Sequence, residues 1–214
     1  FFIKSQKPYL HQIQDYFMTR ILLIGGSPIH PCKAHSLLDY AKYLLENQLD
    51  IFTLQINTLL VRSLLAEDLA LGRYASPALV YPRQLIEEAD GIIIVSPIIK
   101  AAYTGLLKSF LDILPNGIFD HKVILPLATS HTSSHSLAID YSLKPVLTEL
   151  GATHILNSVF AVEEQIKHNQ TELTTDLELS LRLQTSLQDF LEAIRDRQNK
   201  KNNPSNAKLI LNIA

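Results

Sequence analysis

Short apolar runs rich in β-branched residues alternate along this chain with segments whose apolar residues follow helical spacing. Continuous apolar runs of this kind are typical of strands buried on both faces of a sheet. The runs lie at residues 20–26, 51–54, 91–95, 123–127 and 153–160, and the helical patterns at 37–45, 78–88, 106–114, 136–150 and 177–194. Because strands separated by helices need crossover connections, they must be parallel. The alternation therefore predicts a single α/β domain built on a doubly wound five-stranded parallel sheet.

The composition is that of a globular domain, with 47% hydrophobic and 19% charged residues among 214. The formal net charge of −2 is too close to neutral for a surface that binds nucleic acid. A single cysteine excludes an internal disulfide framework and suits a reducing compartment. The apolar runs are far shorter than the roughly 20 residues that span a bilayer. We therefore expect a cytoplasmic protein that engages neither nucleic acid nor membrane.

The two ends of the chain differ in composition from the part between them. Residues 1–17 precede Met18, the only methionine, and we interpret them as an N-terminal extension outside the fold rather than as a functional amphipathic arm. Residues 18–197 form the predicted domain. Residues 198–214 are predicted to be a polar tail with a short apolar end.

A glycine- and serine-containing loop, GGSPIHPCKAHS at residues 25–36, follows the first predicted strand. Glycines allow a tight turn, and the free N–H groups at the start of the next helix favour an anion. The patterns GxxxxGK[ST] and GxGxxG are absent, which favours a mononucleotide phosphate over a triphosphate or a dinucleotide. The alternative is an ordinary strand–helix loop with capping serines. The candidate phosphate-binding residues are Ser27, Lys33, His35 and Ser36.

Two further loops follow the third and fourth predicted strands, at residues 96–105 and 128–135. In doubly wound sheets, ligands bind beyond the carboxyl ends of the strands, so all three loops are expected at one edge. Small residues leave room for a flat ring, and hydroxyl and backbone groups can bind the edge of a heterocycle. Together the loops predict a phosphate-bearing aromatic cofactor, whose ring would contact Pro97, Ile98, Ile99, Lys100, Ala101, Tyr103, Thr129, Ser130, His131 and Thr132.

Other chemistries have weaker support in the sequence. His30, Cys32 and His35 are three potential metal ligands, but no second cluster has matching spacing, and we predict no metal site. His131 and His135 lack the glutamate of the HExxH motif. Cys32 has no resolving cysteine, so a plain loop thiol is the better interpretation.

Several segments carry a resemblance to a known family. These are IGGSP at residues 24–28, SLLDYA at 36–41, SPIIKAAYTG at 96–105 and AIDYSLKP at 138–145. Over roughly residues 18–195 the chain resembles the NADPH-dependent FMN reductases of alkanesulfonate assimilation. The resemblance implies a flavodoxin-like fold and reduction of FMN by NADPH, with NADH as a second candidate donor. It also implies a homo-oligomer, dimer or tetramer, that supplies reduced flavin to a monooxygenase which desulfonates organosulfonates.

The same resemblance assigns further expectations to individual residues. No catalytic side chain is expected, because hydride passes between the two cofactors. A π-type insertion is expected in the helix that carries Tyr141, which would be a subunit-interface residue. Ile29 stands where an arginine is typical and Ser130–His131 where paired glycines are expected, which implies weak flavin binding. The alternatives are a flavin-retaining reductase of quinones, azo dyes or metal oxyanions, and a degenerate, non-enzymatic oligomerisation protein.

Overall fold

A computed structural model describes residues 18–47, 54–168 and 173–202. Within these residues, no helix is both long and apolar enough to cross a membrane. The expectations for residues 1–17 and for the end of the chain from residue 203 lie outside the described residues. The described part contains one large sheet with helices on both faces and a small hairpin.

The large sheet is parallel, and its strand order is β2-β1-β3-β4-β5. The strands are β1 (Thr19–Gly25), β2 (Leu54–Leu60), β3 (Gly91–Pro97), β4 (Val123–Ser130), β5 (His154–Ile155) and β6 (Val159–Val162). The last two occupy the fifth position together, because both pair with β4. This is the flavodoxin-like doubly wound order, so the predicted fold class is confirmed.

Among the described residues, six α-helices accompany the sheet: α1 (Lys33–Asn47), α2 (Ala66–Ala70), α3 (Val80–Glu88), α4 (Gly105–Asp112), α5 (Lys144–Glu149) and α6 (Leu177–Asn202). Along β1, Ile21 and Leu23 pack on the face covered by α1 and α6, whereas Leu22 and Ile24 pack on the face covered by α3, α4 and α5. Both faces of the strand are therefore buried, which explains its unbroken apolar sequence.

The second strand differs most from its prediction. We expected it at residues 51–54, but β2 covers Leu54–Leu60, and residues 51–53 lie outside the described residues. As an edge strand it is only partly buried, and its sequence LQINTLL mixes polar with apolar residues. A search for continuous apolar runs finds strands that are buried on both faces, but it misses a partly buried edge strand such as β2.

Three other elements depart from the simple alternation. The predicted helix at 136–150 is a short 3₁₀ turn (Ser133–His135), a π-helical turn (Ile139–Leu143) and α5 in succession. The π turn lies where the family resemblance placed an insertion. An unexpected antiparallel hairpin pairs β7 (Ile166–His168) with β8 (Leu173–Thr175). Helix α6 continues to Asn202, past residue 198 where we placed the start of the polar tail, since no helix breaker occurs before Pro204.

Candidate functional site

Hydrogen bonds between loops join the carboxyl ends of β1, β3 and β4. The Gly26 N–H donates to the carbonyl of Val95 at 2.8 Å, and the Ile98 N–H donates to the carbonyl of Thr129 at 2.7 Å. The Thr104 hydroxyl donates to the carbonyl of Gly26 at 2.5 Å. The structure therefore brings all three predicted loops to one edge of the sheet, at the point where the strand order reverses.

The phosphate loop, residues 26–36, is held by its own side chains. The buried Ser27 hydroxyl accepts from the Ile29 N–H at 3.2 Å and donates to the Ile29 carbonyl at 3.0 Å. The Cys32 thiol donates to the same hydroxyl at 3.2 Å. Ser36, also buried, donates to the Cys32 carbonyl at 3.4 Å. These contacts shape the loop so that the first turn of α1 opens towards the edge of the sheet.

His35 lies at the centre of this loop. Its Nδ1 atom is 3.2 Å from His30 Nδ1 and 3.3 Å from Cys32 Sγ. Burial lowers the pKa of the His35 imidazole, and the neighbouring His30 lowers it further. The opposite ring nitrogen, Nε2, is buried, and the described part of the chain gives it no hydrogen-bond partner. His35 is therefore a neutral donor or acceptor with one nitrogen unused.

Lys33 is directed away from the centre of the loop. Its ammonium donates to the carbonyl of Ile166 in the β7–β8 hairpin at 2.5 Å. Lys33 is thus the first residue of α1, and its ammonium donates to the neighbouring hairpin. Ile29 is 62% exposed and brings no polar group to the loop.

A tight turn forms the tip of the loop after β3. Ile99 and Ala102 exchange backbone hydrogen bonds of 2.8 and 3.3 Å, and the two residues between them have positive φ, 54° at Lys100 and 60° at Ala101. Two successive positive φ values are what a type I′ turn requires, and non-glycine residues adopt them at a cost of about 1–3 kcal/mol each. Ile99, Lys100 and Ala101 are exposed, so this strained turn presents a surface at the edge of the sheet.

Two residues that the sequence analysis did not single out, Thr104 before α4 and Ser96 in β3, are linked by a hydrogen bond. The Thr104 hydroxyl caps the helix by accepting from the Leu107 N–H at 3.1 Å, and its backbone N–H donates to the Ser96 hydroxyl at 3.2 Å. The Thr-Gly pair before an apolar helical pattern signals such a cap. Tyr103, in contrast, packs into the core with Ile98. Burial, together with the Asp112 carboxylate, raises the pKa of Tyr103 to about 12.

The loop after β4 contains one side chain that lacks a partner and several that have one. Thr129 is fully buried, and no hydrogen-bond partner for its Oγ1 atom occurs in the described ranges. Ser130 Oγ lies 3.2 Å from His135 Nδ1 and also accepts from the Thr132 N–H at 3.4 Å. The exposed His131 ring lies 3.2 Å from the Glu163 carboxylate. Of the predicted ring contacts here, Thr129 is the one with an unused buried polar atom.

A family model described as NADPH-dependent FMN reductase matches residues 19–167. The chain belongs to the NADPH-dependent FMN reductase family. An FMN reductase (NADPH) from Escherichia coli (strain K12) is 42% identical over 180 residues, which cover 83% of this chain and 91% of that protein. A second FMN reductase (NADPH), from Pseudomonas putida (strain KT2440), is 37% identical over 80% of this chain and 84% of its own length.

Solved structures agree with this family and with the fold. The apo crystal structure of the NADH:FMN oxidoreductase EmoB matches with a TM-score of 0.70 at 33% identity, over 88% of this chain and 93% of that one. The flavoenzyme FerB from Paracoccus denitrificans matches with a TM-score of 0.63 at 20% identity, over 84% of this chain and 99% of that one, and supports the fold alone. The family assignment expected from the sequence is thus confirmed.

The residues at the carboxyl edge fit the FMN that an FMN reductase uses. A buried serine loop and a helix N-terminus suit a phosphate. The exposed turn after β3 offers a platform for a ring, and the unpartnered His35 Nε2 and Thr129 Oγ1 atoms are free to bind a ligand. Within residues 18–47, 54–168 and 173–202, no group of three or more His, Cys, Asp or Glu side chains is arranged to hold a metal ion.

Proposed function

We propose that this NAD(P)H-dependent FMN reductase passes its reduced FMN to a separate flavin-dependent monooxygenase that desulfonates organosulfonates. The enzyme class follows from the family and from the relative at 42% identity. The finer role is supported by the resemblance carried by the segments KAAYTG and DYSLKP, at residues 100–105 and 140–145. In this proposal residues 18–197 are the reductase unit, and the enzyme works in the cytoplasm.

The residues of the chain bind and orient, whereas the redox chemistry belongs to the cofactors. When bound, FMN supplies a ring that can accept a hydride from a nicotinamide. In this proposal Ser27, His35 and Ser36 bind the phosphate at the start of α1, with Lys33 nearby and donating to the Ile166 carbonyl. The ring would lie against the loops after β3 and β4, within reach of Pro97, Ile98, Ile99, Lys100, Ala101, Tyr103, Thr129, Ser130, His131 and Thr132. No side chain is assigned a proton-transfer role.

The exposure of the turn after β3 is the observation that carries the proposal of flavin transfer. Ile99, Lys100 and Ala101 are all exposed at the tip, so a ring resting on them would lie at the protein surface. A ligand that is held at the surface, with few cationic contacts from its phosphate loop, can dissociate between turnovers. Such exchange is what a two-component system requires of its reductase.

We further propose that the π turn contributes to a subunit interface in a homo-oligomer. Tyr141 is 79% exposed, and the exposed Leu137 lies one turn before it, with its carbonyl accepting from the Tyr141 N–H at 3.2 Å. Two large apolar side chains on one exposed face suit a self-association surface. Light scattering of the wild type and of Tyr141→Ser tests this, with the smaller oligomer expected for the variant.

A coupled assay tests the transfer of reduced flavin. The reductase is mixed with an FMNH₂-dependent alkanesulfonate monooxygenase, NADPH, substoichiometric FMN and octanesulfonate, and the released sulfite is measured. We expect sulfite only when both proteins are present, and loss of FMN from the reductase on gel filtration. Retained FMN with ping-pong reduction of a quinone would instead support the flavin-retaining alternative. A folded protein that leaves FMN unbleached by both NADPH and NADH under argon would contradict every reductase function.

A further inference from the structure

The phosphate loop offers little positive charge to balance the negative charge of the FMN phosphate. A phosphate monoester carries between one and two negative charges at neutral pH, and a helix N-terminus offsets about half of one charge. Lys33 donates its ammonium to the Ile166 carbonyl, and the pKa of His35 is lowered by burial and by His30, so this ring is neutral. A positively charged partner for the phosphate is therefore to be sought outside this loop.

The carboxyl end of β2 lies directly beside the phosphate loop. In the sheet register Gly25 pairs with Leu60. A Cβ atom on Gly25 would come within 2.8 Å of Leu60 Cδ2 and 3.5 Å of His35 Nε2, so these two side chains meet above Gly25. The chain segment that follows Leu60 thus begins beside the phosphate loop, on the β2 side of β1 and opposite β3.

The 3₁₀ turn Val61–Ser63 directs one cation outward at this place. Val61 is fully buried in the core, and the Ser63 hydroxyl donates to the Leu60 carbonyl at 2.7 Å, which fixes the turn. Arg62, between them, is exposed. Burial and His30 lower the pKa of the His35 imidazole most, the Asp39 carboxylate on α1 raises it, and the Arg62 guanidinium lowers it by a smaller amount.

We propose that Arg62 is the principal positively charged ligand of the FMN phosphate, reaching it from the strand next to the phosphate loop. The guanidinium is always ionised and presents several N–H donors to phosphate oxygens in a planar fork, whereas the Lys33 ammonium already gives one of its three donors to the Ile166 carbonyl. The inference rests on the proposed function, because it needs FMN at this edge of the sheet. It assigns Arg62 to binding and not to the redox step.

Paired titrations with FMN and riboflavin test this assignment, because riboflavin lacks the phosphate. For Arg62→Gln we expect the Kd for FMN to rise about 10- to 100-fold, as for loss of a charge-assisted hydrogen bond. The Kd for riboflavin should change less than about twofold, since the ring contacts are untouched. Arg62→Lys should recover part of the FMN affinity. Lys42→Gln, which removes an exposed charge of α1, is the matched control and should leave both affinities unchanged.

Three outcomes would overturn the assignment. An unchanged Kd for FMN in Arg62→Gln would remove Arg62 from the site. Equal weakening of FMN and riboflavin would show a structural role. A higher KM for NADPH, with NADH and FMN unaffected, would assign the guanidinium to the 2′-phosphate of the nicotinamide cofactor. Failure of the wild-type protein to bind FMN would contradict the proposed function itself, and it is seen before any variant is measured.

Discussion

The two edges of the central sheet differ in how completely their buried polar groups are satisfied. At the amino edge the Asp90 carboxylate accepts from the Arg20 N–H at 2.8 Å, and the buried Lys122 ammonium donates to two backbone carbonyls at 2.8 and 2.9 Å. At the carboxyl edge His35 Nε2 and Thr129 Oγ1 are buried with no partner among the residues that the structure describes. Unused buried polar atoms are costly, and a ligand at this edge would complete the hydrogen bonding of these two. The other such atoms in the described residues are Arg83 Nε, Thr175 Oγ1 and Arg182 Nε.

Cavity size alone would place the function at the wrong edge. A cavity of about 790 Å³ opens at the amino edge, lined in part by Asp90, His154, Asp189 and Arg197. The three loops that carry the family's sequence segments lie at the opposite edge. The unpartnered His35 Nε2 and Thr129 Oγ1 atoms lie in two of these loops and not around the cavity. If flavin binds at the carboxyl edge, substitutions in the packed scaffold should change stability, and substitutions of unpartnered groups at the carboxyl edge should change flavin binding.

The largest effect is expected from the scaffold. Phe190 of α6 is fully buried and packs against Gly91 at the amino end of β3. Phe190→Ala should lower the free energy of unfolding by about 3–5 kcal/mol, because it deletes a large core side chain and leaves a cavity. Denaturant unfolding measures this, with the exposed Leu181→Ala as the control that stays within about 0.5 kcal/mol. The affinity of the folded fraction for FMN should not change. A parallel loss of affinity would show that packing at the amino edge also determines flavin binding.

Replacing either of two threonines at the carboxyl edge by valine should have different effects on protein stability. Thr104→Val removes a hydroxyl bonded to the Gly26 carbonyl and the Leu107 N–H, and should cost about 1–3 kcal/mol of stability. Thr129→Val removes a hydroxyl that has no partner in the described part of the chain, so stability should stay level or rise, while the Kd for FMN rises about fivefold or more. Thermal unfolding and flavin titration of both variants give the comparison. Equal destabilisation by the two substitutions would mean that Thr129 Oγ1 is bonded within the protein.

Acid should weaken the phosphate loop through His35. An imidazole whose folded pKa lies below its ordinary value of 6.5 binds fewer protons in the folded than in the unfolded state. The free energy of unfolding of the free protein therefore falls as the pH drops through 6.5, and this group contributes no pH dependence above it. Chemical unfolding between pH 8 and 5.5 should show a smaller decline for His35→Gln than for the wild type. A His35→Gln curve with the wild-type slope would show that the His35 imidazole does not cause this decline.

The sequence predicts the central strands well, but it does not predict the hydrogen bonds that join the loops at the carboxyl edge. β1, β3 and β4 are found because both of their faces are buried, so their apolar runs are unbroken. The three loops follow from those strands and from the rule for parallel sheets. The bond from Thr104 to Gly26 joins residues 78 apart, and periodicity carries no information about such a contact. Arg62 is missed for a related reason, because it follows an edge strand whose partly exposed residues show no clear pattern.

The smallest expected effect on stability concerns the turn at Lys100 and Ala101, where no glycine in the sequence indicates positive φ. Ala101 has φ of 60°, a conformation that costs an alanine more than a glycine. Ala101→Gly relieves this strain but gives the unfolded chain more freedom, so the net gain in stability should be about 0.5–1 kcal/mol. Because a glycine turn is less rigid, the Kd for FMN should rise about two- to threefold. Ala102→Gly, just beyond the positive-φ pair, should lower stability instead. If Ala101→Gly also destabilises the protein, the positive φ at Ala101 does not store strain that a glycine would relieve.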